Sequence, residues 1–160
     1  MAPIFATRCA KCHTDRGLLG PAPEGYRLTS YAETLSATDY LRIVPGNPEA
    51  SELVRRIRGQ ARPRMPFDGL PFLSADELRA IEGWIAQGAA GAGGKPAGVP
   101  ANARLRLHGT LGQGWQLDGL PLPSAAAARL DNAPRPGDYV EVRGSVQADG
   151  NILVERIRRR

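Results

Sequence analysis

The sequence predicts a multidomain protein in which an all-α domain is followed by a small all-β domain. Before residue 88, apolar residues recur at helical spacing, whereas after residue 102 they alternate with polar residues as in strands. Residues 90–101 are rich in Gly, Ala and Pro, with Val99 as their only large apolar residue, which is typical of a flexible linker. We therefore expect one domain at residues 1–89 and a second at residues 102–160.

Three short helices are predicted in the first part of the chain. One covers residues 3–8. A second is expected to begin at the N-cap residue Ser36 and to stop before Pro45. Asn47, which precedes a proline, is expected to cap the third helix, and Gly59 suits the position just past its end.

The fourth predicted helix has the clearest pattern. Ser74 and Glu77 match a capping box, in which side chain and backbone bond reciprocally at the first turn. The apolar face that follows consists of Leu78, Ile81, Trp84 and Ile85. Gly88 is expected to end the helix, and residues 21–31, which have no clear period, are predicted to be a loop.

The second domain is predicted to consist of short strands. In the first strand, residues expected to be buried alternate with residues expected to face solvent. The buried residues are Leu105, Leu107, Gly109 and Leu111. The solvent-facing residues are Arg104, Arg106, His108 and Thr110. Residues 140–146 alternate again, and Asp149-Gly150 is expected to turn the chain into a strand at residues 152–154. Residues 124–130 are expected to form a helical turn or a loop. About sixty residues make a marginal core, so packing against the first domain is expected to support this one.

Both cysteines of the chain lie in the segment Cys9-Ala10-Lys11-Cys12-His13. C-x-x-C-H is the attachment motif of c-type haem. One helical turn places two thiols on one side of the backbone, where each can form a thioether with a vinyl carbon of the haem. The adjacent His13 then lies under the iron and offers an imidazole nitrogen as an axial ligand. We predict one haem c, held covalently by Cys9 and Cys12.

Three other uses of this cysteine pair fit less well. A redox pair of the thioredoxin type follows a strand of a βαβ unit, whereas Cys9 lies close to the start of the chain. A structural zinc site requires four Cys or His ligands, and the only other histidine, His108, is far from His13 in the sequence. A disulfide between Cys9 and Cys12 would be strained, because the geometry of the bridge is specific.

Met65 is predicted to be the second axial ligand. It is the only methionine besides Met1, and it lies in residues 62–67, which two prolines stiffen. A methionine that fills a core normally lies on a helix or strand. Its soft thioether favours reduced iron, so His/Met ligation raises the potential. His108 is the rival ligand, disfavoured by its predicted solvent-facing position, and an iron with an open distal side is the remaining alternative.

Several arginines are candidates for holding a haem propionate, because a guanidinium can bind a carboxylate through two parallel hydrogen bonds. They precede Met65 and are Arg55, Arg56, Arg58, Arg62 and Arg64. Arg64 is the predicted contact. A solvated helix face is expected for at least three of the five.

The first part of the chain resembles a known family. Residues 3–90 are similar to a small monohaem c-type cytochrome domain, class I-like, of the kind found in bacterial multidomain proteins. The segments that match, in chain order, are residues 9–13, 45–53, 64–66 and 73–89. The resemblance implies an all-α cytochrome c fold wrapped around one haem. It also implies that the first helix packs against the last, with Phe5 and Trp84 at the crossing.

Residues 102–160 resemble a small OB-like β-barrel module of an uncharacterised family. OB folds often bind oligonucleotides or sugars, and Trp115, Tyr139 and the arginines at the C-terminus could form such a site. The same pattern is also expected without any ligand, if one aromatic residue lies in the core, the other lies on the surface and the basic C-terminus is exposed. The net charge of +5, from 21 basic and 16 acidic residues, does not require nucleic acid. We expect no nucleic-acid partner.

These residues predict an electron-transfer cytochrome rather than an enzyme, because an iron with both axial positions filled has no free site. We expect a redox partner protein with an acidic surface, steered by the positive net charge. The β domain is expected to serve docking or assembly, including self-association. Two alternatives stay open: a haem enzyme or gas sensor with an open distal site, and a structural or assembly subunit of a redox chain.

The same motif predicts where the protein is located. No apolar run approaches the length of a transmembrane helix, and no signal peptide is visible. In bacteria, c-type haem is attached outside the cytoplasm. We therefore expect the chain to be the mature form of a periplasmic or otherwise exported protein from which a signal peptide has been removed.

Overall fold

The computed structural model describes residues 2–37, 39–100, 102–147 and 150–160. A helical part precedes a β part, as predicted. The helices are α1 (Ala2–Arg8), α2 (Tyr31–Thr34), α3 (Glu52–Arg58) and α4 (Ala75–Ala86). The strands are β1 (Ala103–Gly112), β2 (Gln116–Leu117), β3 (Leu120–Pro121), β4 (Arg129–Asp131), β5 (Tyr139–Val146) and β6 (Ile152–Arg159).

Helices α1 and α4 pack against each other as the family resemblance implied. The rings of Phe5 and Trp84 meet edge to face, with 5.8 Å between their centroids and 72° between their planes. The predicted capping box of α4 is confirmed, because Ser74 Oγ accepts from the backbone of Glu77 while the Glu77 carboxylate accepts from the backbone of Ser74. None of the helices within the described residues is long and apolar enough to cross a membrane.

One predicted helix is wrong, and so is the predicted start of another. Among the described residues of 36–44 there is no helix, because this segment runs beside β1, where the Leu41 amide donates to the Arg104 carbonyl at 2.8 Å. Helix α3 begins at Glu52, and Asn47 instead closes a turn in which its side chain accepts from the Ala50 amide at 3.0 Å. Gly59 ends α3 in the left-handed conformation, as predicted.

The six strands form one sheet in the order β3-β2-β1-β5-β6-β4. β1, β5 and β6 are antiparallel neighbours, whereas β4 pairs with β6 in parallel. The two outer strands, β3 and β4, do not pair with each other in the described part of the chain, so the sheet is open and the predicted OB-like barrel is not confirmed. At the predicted hairpin, the Gly150 amide donates to the Gln147 carbonyl, while Asp149 lies outside the described residues.

The predicted solvent-facing position of His108 is wrong. Alternate residues of β1 face inward as expected, but His108 is buried as well, with 8% of its surface exposed. Two carboxylates lie beside its ring, because Nδ1 donates to Glu52 at 2.9 Å and Nε2 lies 3.4 Å from Glu141. These polar partners offset the cost of burying the imidazole, which an alternation pattern cannot reveal.

The core of the sheet is completed by residues from the helical part. Leu41, Val44 and Ala50 are buried in the same apolar cluster as the inward side chains of β1, β5 and β6. A separate cluster joins α1, α3 and α4 and includes Phe5, Ile57, Ile81 and Ile85. A sheet with so few residues thus gains apolar contacts by packing on the segment before α3, as its size predicted.

The segment predicted to be a flexible linker has neither helix nor strand between residues 90 and 100. Its first residues nevertheless lie against the helical part. Trp84 Nε1 donates to the Ala90 carbonyl at 2.8 Å, and the Ala97 amide donates to the Gly88 carbonyl at 2.8 Å. This part of the linker is therefore anchored to the end of α4.

Candidate functional site

A cleft of about 250 Å³ opens between the end of α1, the end of α3 and the loop after α3. The exposed surface of its walls is almost entirely apolar. Four of the five predicted site residues line it, namely Cys9, Cys12, His13 and Met65. Residues that lie far apart in the sequence therefore meet in one site.

The two thiols reach the cleft because α1 ends in a tight turn. The amides of Cys9 and Ala10 donate to the Phe5 carbonyl, and the amides of Cys12 and His13 donate to the Cys9 carbonyl at 3.1 and 3.0 Å. Cys9 and Cys12 are one helical turn apart, and no disulfide joins them. Gly17 follows this turn so closely that a Cβ there would lie 2.5 Å from the Cys12 carbonyl oxygen.

His13 has one ring nitrogen committed to the backbone. Its Nδ1 lies 2.8 Å from the Tyr26 carbonyl oxygen, which can only accept, so Nδ1 carries the proton. The Tyr26 ring lies edge-on to the imidazole at 5.9 Å. Because this bond fixes the tautomer, Nε2 is left with a free lone pair, as a metal-ligating histidine requires.

Met65 is held by the backbone of α3. Its amide donates to the Arg56 carbonyl at 3.1 Å, and the amide of the fully buried Ala61 donates to the Arg55 carbonyl at 3.0 Å. Both bonds use carbonyls of the last turns of α3, which a helix end leaves without partners inside the helix. The loop that carries the thioether is thereby folded back onto the helix whose residue Ile57 lines the cleft.

The environment of Cys9 is poorly solvated. Burial raises the pKa of its thiol from 9.0 to about 11, although the charge of the neighbouring Arg8 acts in the opposite direction. The free thiol is therefore uncharged at neutral pH. An uncharged sulfur in an apolar wall is compatible with a thioether bond, which carries no charge either.

Arg64, the predicted propionate contact, does not line the cleft. Its guanidinium carbon lies 3.9 Å from the centroid of the Phe72 ring, in a cation–π contact. Arg8 and Lys11 line the cleft instead. Arg8 directly precedes the C-x-x-C-H motif and Lys11 lies inside it, a proximity from which both could have been found in the sequence.

The other arginines of the predicted cluster are mostly paired rather than solvated. Arg56 and Arg58 bind the carboxylates of Glu52 and of Glu49 and Glu82. Arg55 is fully buried and forms an ion pair with Asp118. The expectation of a solvated helix face is wrong for these three, because Glu52 of the same helix binds Arg56 and acidic residues from other segments reach Arg55 and Arg58.

The donor set of the cleft fits a covalently bound haem. Two thiols one turn apart, an imidazole with its Nδ1 already bonded and a thioether on an anchored loop all border one apolar space. In the described residues, no group of three or more His, Cys, Asp or Glu side chains forms an alternative metal site. These are the groups that attach a haem c and coordinate its iron.

Comparison with known proteins supports the same interpretation. Residues 9–69 match the family model described as Planctomycete cytochrome C. No curated protein and no solved structure gives a significant match. The matched stretch begins at Cys9 and extends past Met65. The match supports a cytochrome c-type domain in the N-terminal part of the chain, and proteins of this class bind haem c covalently.

Proposed function

We propose that this protein is an electron-transfer cytochrome with one haem, attached to Cys9 and Cys12 and ligated by His13 and Met65. The observation that carries the proposal is that a single apolar cleft gathers these four side chains from two distant segments. The bound haem would supply a one-electron change between ferrous and ferric iron. Within this proposal the protein acts as an electron carrier and not as an enzyme.

Each residue has a distinct role in this proposal. The hydrogen bond from His13 to the Tyr26 carbonyl orients the imidazole and increases its basicity. The Met65 thioether favours the reduced iron and so raises the potential. Apolar side chains such as Ile57 and Leu73 keep water from the cleft and favour the less charged oxidation state.

The burial of His108 supports Met65 as the second ligand. The imidazole of His108 lies between Glu52 and Glu141, and its Nδ1 already donates a hydrogen bond. It lies in β1, outside the residues that line the cleft. We therefore propose that the rival ligand has a structural role at the sheet.

The rim of the cleft suggests where a redox partner docks. Two of the residues that line it, Leu19 and Phe67, are exposed apolar side chains, and the exposed Leu18 and Leu70 lie within three residues of them in the sequence. Together with the net charge of +5, such a rim suits an acidic partner with an apolar centre. The proposed location is the periplasm or another exported compartment, since attachment of c-type haem takes place there in bacteria.

The variant Met65→Ala tests the axial ligation. We expect the far-red Met–iron charge-transfer band of the ferric protein to disappear and the potential to fall. Leu73→Ala is the matched control, because it also removes apolar bulk from the cleft but no sulfur, and it should keep the band. An unchanged spectrum and potential in Met65→Ala, or rapid carbon monoxide binding by the reduced wild-type protein, would remove Met65 from the iron.

A further inference from the structure

The loop that carries Met65 is connected to the β part of the molecule. Arg62 lies three residues before Met65, and its amide donates to the hydroxyl of Tyr139, at the start of β5, at 2.6 Å. The guanidinium carbon of Arg62 lies 4.9 Å from the centroid of the same ring. Tyr139 thus contacts both the backbone and the side chain of the loop.

A second route joins the same two regions. His108 in β1 donates to Glu52, and Glu52 accepts a hydrogen bond from Arg56 at 2.7 Å. The carbonyl of Arg56 accepts a hydrogen bond from the Met65 amide, and the guanidinium of Arg56 donates to the Pro63 carbonyl at 3.5 Å. The rings of His108 and Tyr139 stack at 6.4 Å, so the two routes start from adjacent residues of the sheet.

We propose that Tyr139 is a positioning residue for Met65, through which the β part holds the ligand loop closed over the cleft. The inference rests on the proposed ligation of the iron by Met65. The Arg62 amide has the Tyr139 hydroxyl as its acceptor, and opening of the loop would separate them. Removal of the Tyr139 hydroxyl therefore lowers the free energy required to open the Met65 loop. The proposed iron ligands, His13 and Met65, are themselves unchanged.

Displacement of Met65 by an added ligand measures this opening. Imidazole binds the ferric haem only in molecules whose Met65 has left the iron, so its apparent affinity rises with the population of the open loop. In the full-length holoprotein, Tyr139→Phe keeps the ring that contacts Arg62 and removes only the hydroxyl. We expect its imidazole association constant to be about three- to tenfold above wild type, the effect of one hydrogen bond.

Tyr31→Phe is the matched control. It removes a tyrosine hydroxyl that donates to the Ala89 carbonyl at 2.9 Å, away from the Met65 loop. Its imidazole affinity should stay within about twofold of wild type, even where its urea midpoint falls as much as that of Tyr139→Phe. Equal imidazole affinity in the two variants would overturn the positioning role, because a general loss of stability affects both.

Two further readouts separate the possible failures. If the wild-type ferric protein lacks the Met–iron band, or if Met65→Ala keeps it, the proposed function fails. If the band is normal and only the imidazole result fails, the positioning role alone is wrong. In wild-type protein, the Arg62 amide should exchange its hydrogen more slowly than the amides of residues 91–93 in the linker. Equally fast exchange would show that the tether is absent, whether or not the variant folds.

Discussion

Helix α3 borders both the cleft and the β part, and the side chains that it presents on these two sides are of opposite kinds. The cleft side of α3 presents Ile57 to an apolar space. The other side buries Arg55 completely, with Asp118 as its ion-pair partner and the His108 carbonyl as an acceptor at 2.8 Å. Helix α3 thus connects an apolar cleft with a set of buried, paired charges.

The interface is tightly packed as well as charged. Burial lowers the pKa of Arg55, and the charges of Asp118 and Glu52 partly restore it. Gly109 lies where a Cβ would overlap the Asp118 carboxylate and the Arg55 guanidinium. A second ion-pair group lies nearer the edge of the interface, where Glu24 binds both Arg42 and Arg106. The β part is thus packed against the helical part through a buried ion pair and shared apolar contacts.

The largest effect is expected in the cleft. Replacement of both Cys9 and Cys12 by Ala should abolish covalent haem attachment, because no other thiol exists in the chain. Intact mass after maturation checks this, with the polypeptide mass alone as the expected result. A variant that still carries covalent haem would show that attachment does not use these thiols.

Removal of Asp118 tests the interface. Asp118→Ala leaves the fully buried Arg55 without its carboxylate and should lower the free energy of unfolding by about 3 kcal/mol. The control Asp76→Ala breaks an exposed pair with Arg79 and should cost less than about 1 kcal/mol. Urea unfolding measures both. Similar small losses would mean that the buried pair contributes no more than a surface pair.

Glycine substitutions test how closely the interface is packed. Gly109→Ala should destabilise by about 1–3 kcal/mol, because the added methyl group meets the Arg55–Asp118 pair. Gly83→Ala, in α4, meets no neighbouring atom and should stabilise the protein by about 0.5–1 kcal/mol through helix propensity. Thermal unfolding gives the sign of each change. A neutral or stabilising Gly109→Ala would contradict the close contact at the interface.

The pH dependence of stability should show the carboxylate that lies beside His108 in the β part. Burial alone would raise the pKa of Glu141, but hydrogen bonding to Arg143 and the charges of Arg143, Arg160 and His108 lower it from its ordinary value of 4.5. Because the pKa is lower in the folded state, the stabilisation is present above pH 4.5 and is lost as the pH falls below it. Wild type should therefore approach the stability of Glu141→Gln below pH 4.5. A constant difference would exclude this contribution.

The four candidate haem-binding residues of the cleft could be picked out from the sequence, because each lies in a short segment with a recognisable pattern. Cys9 to His13 form a contiguous motif, and Met65 stands out as a lone methionine in a proline-rich loop. The capping box at Ser74 likewise depends on residues three apart. Local patterns of this kind do not require knowledge of the tertiary structure.

The interface could not be predicted in the same way. His108 is buried because Glu52 and Glu141 approach it, and Arg55 is buried because Asp118 does, all across long sequence separations. The conformation of the segment after Ser36 is likewise set by a tertiary contact, because Leu41 bonds to the backbone of β1 instead of lying in a helix. Strand β4 is too short for an alternation pattern, and its parallel partner lies more than twenty residues away.

We propose that one haem is bound through the thioethers of Cys9 and Cys12. The most direct test is the intact mass of the matured protein, combined with a pyridine haemochrome spectrum before and after extraction with acidified organic solvent. We predict the mass of the polypeptide plus a single haem, with the pigment retained by the protein. A colourless protein, or a pigment that passes into the solvent, would show that haem is not covalently attached to these cysteines.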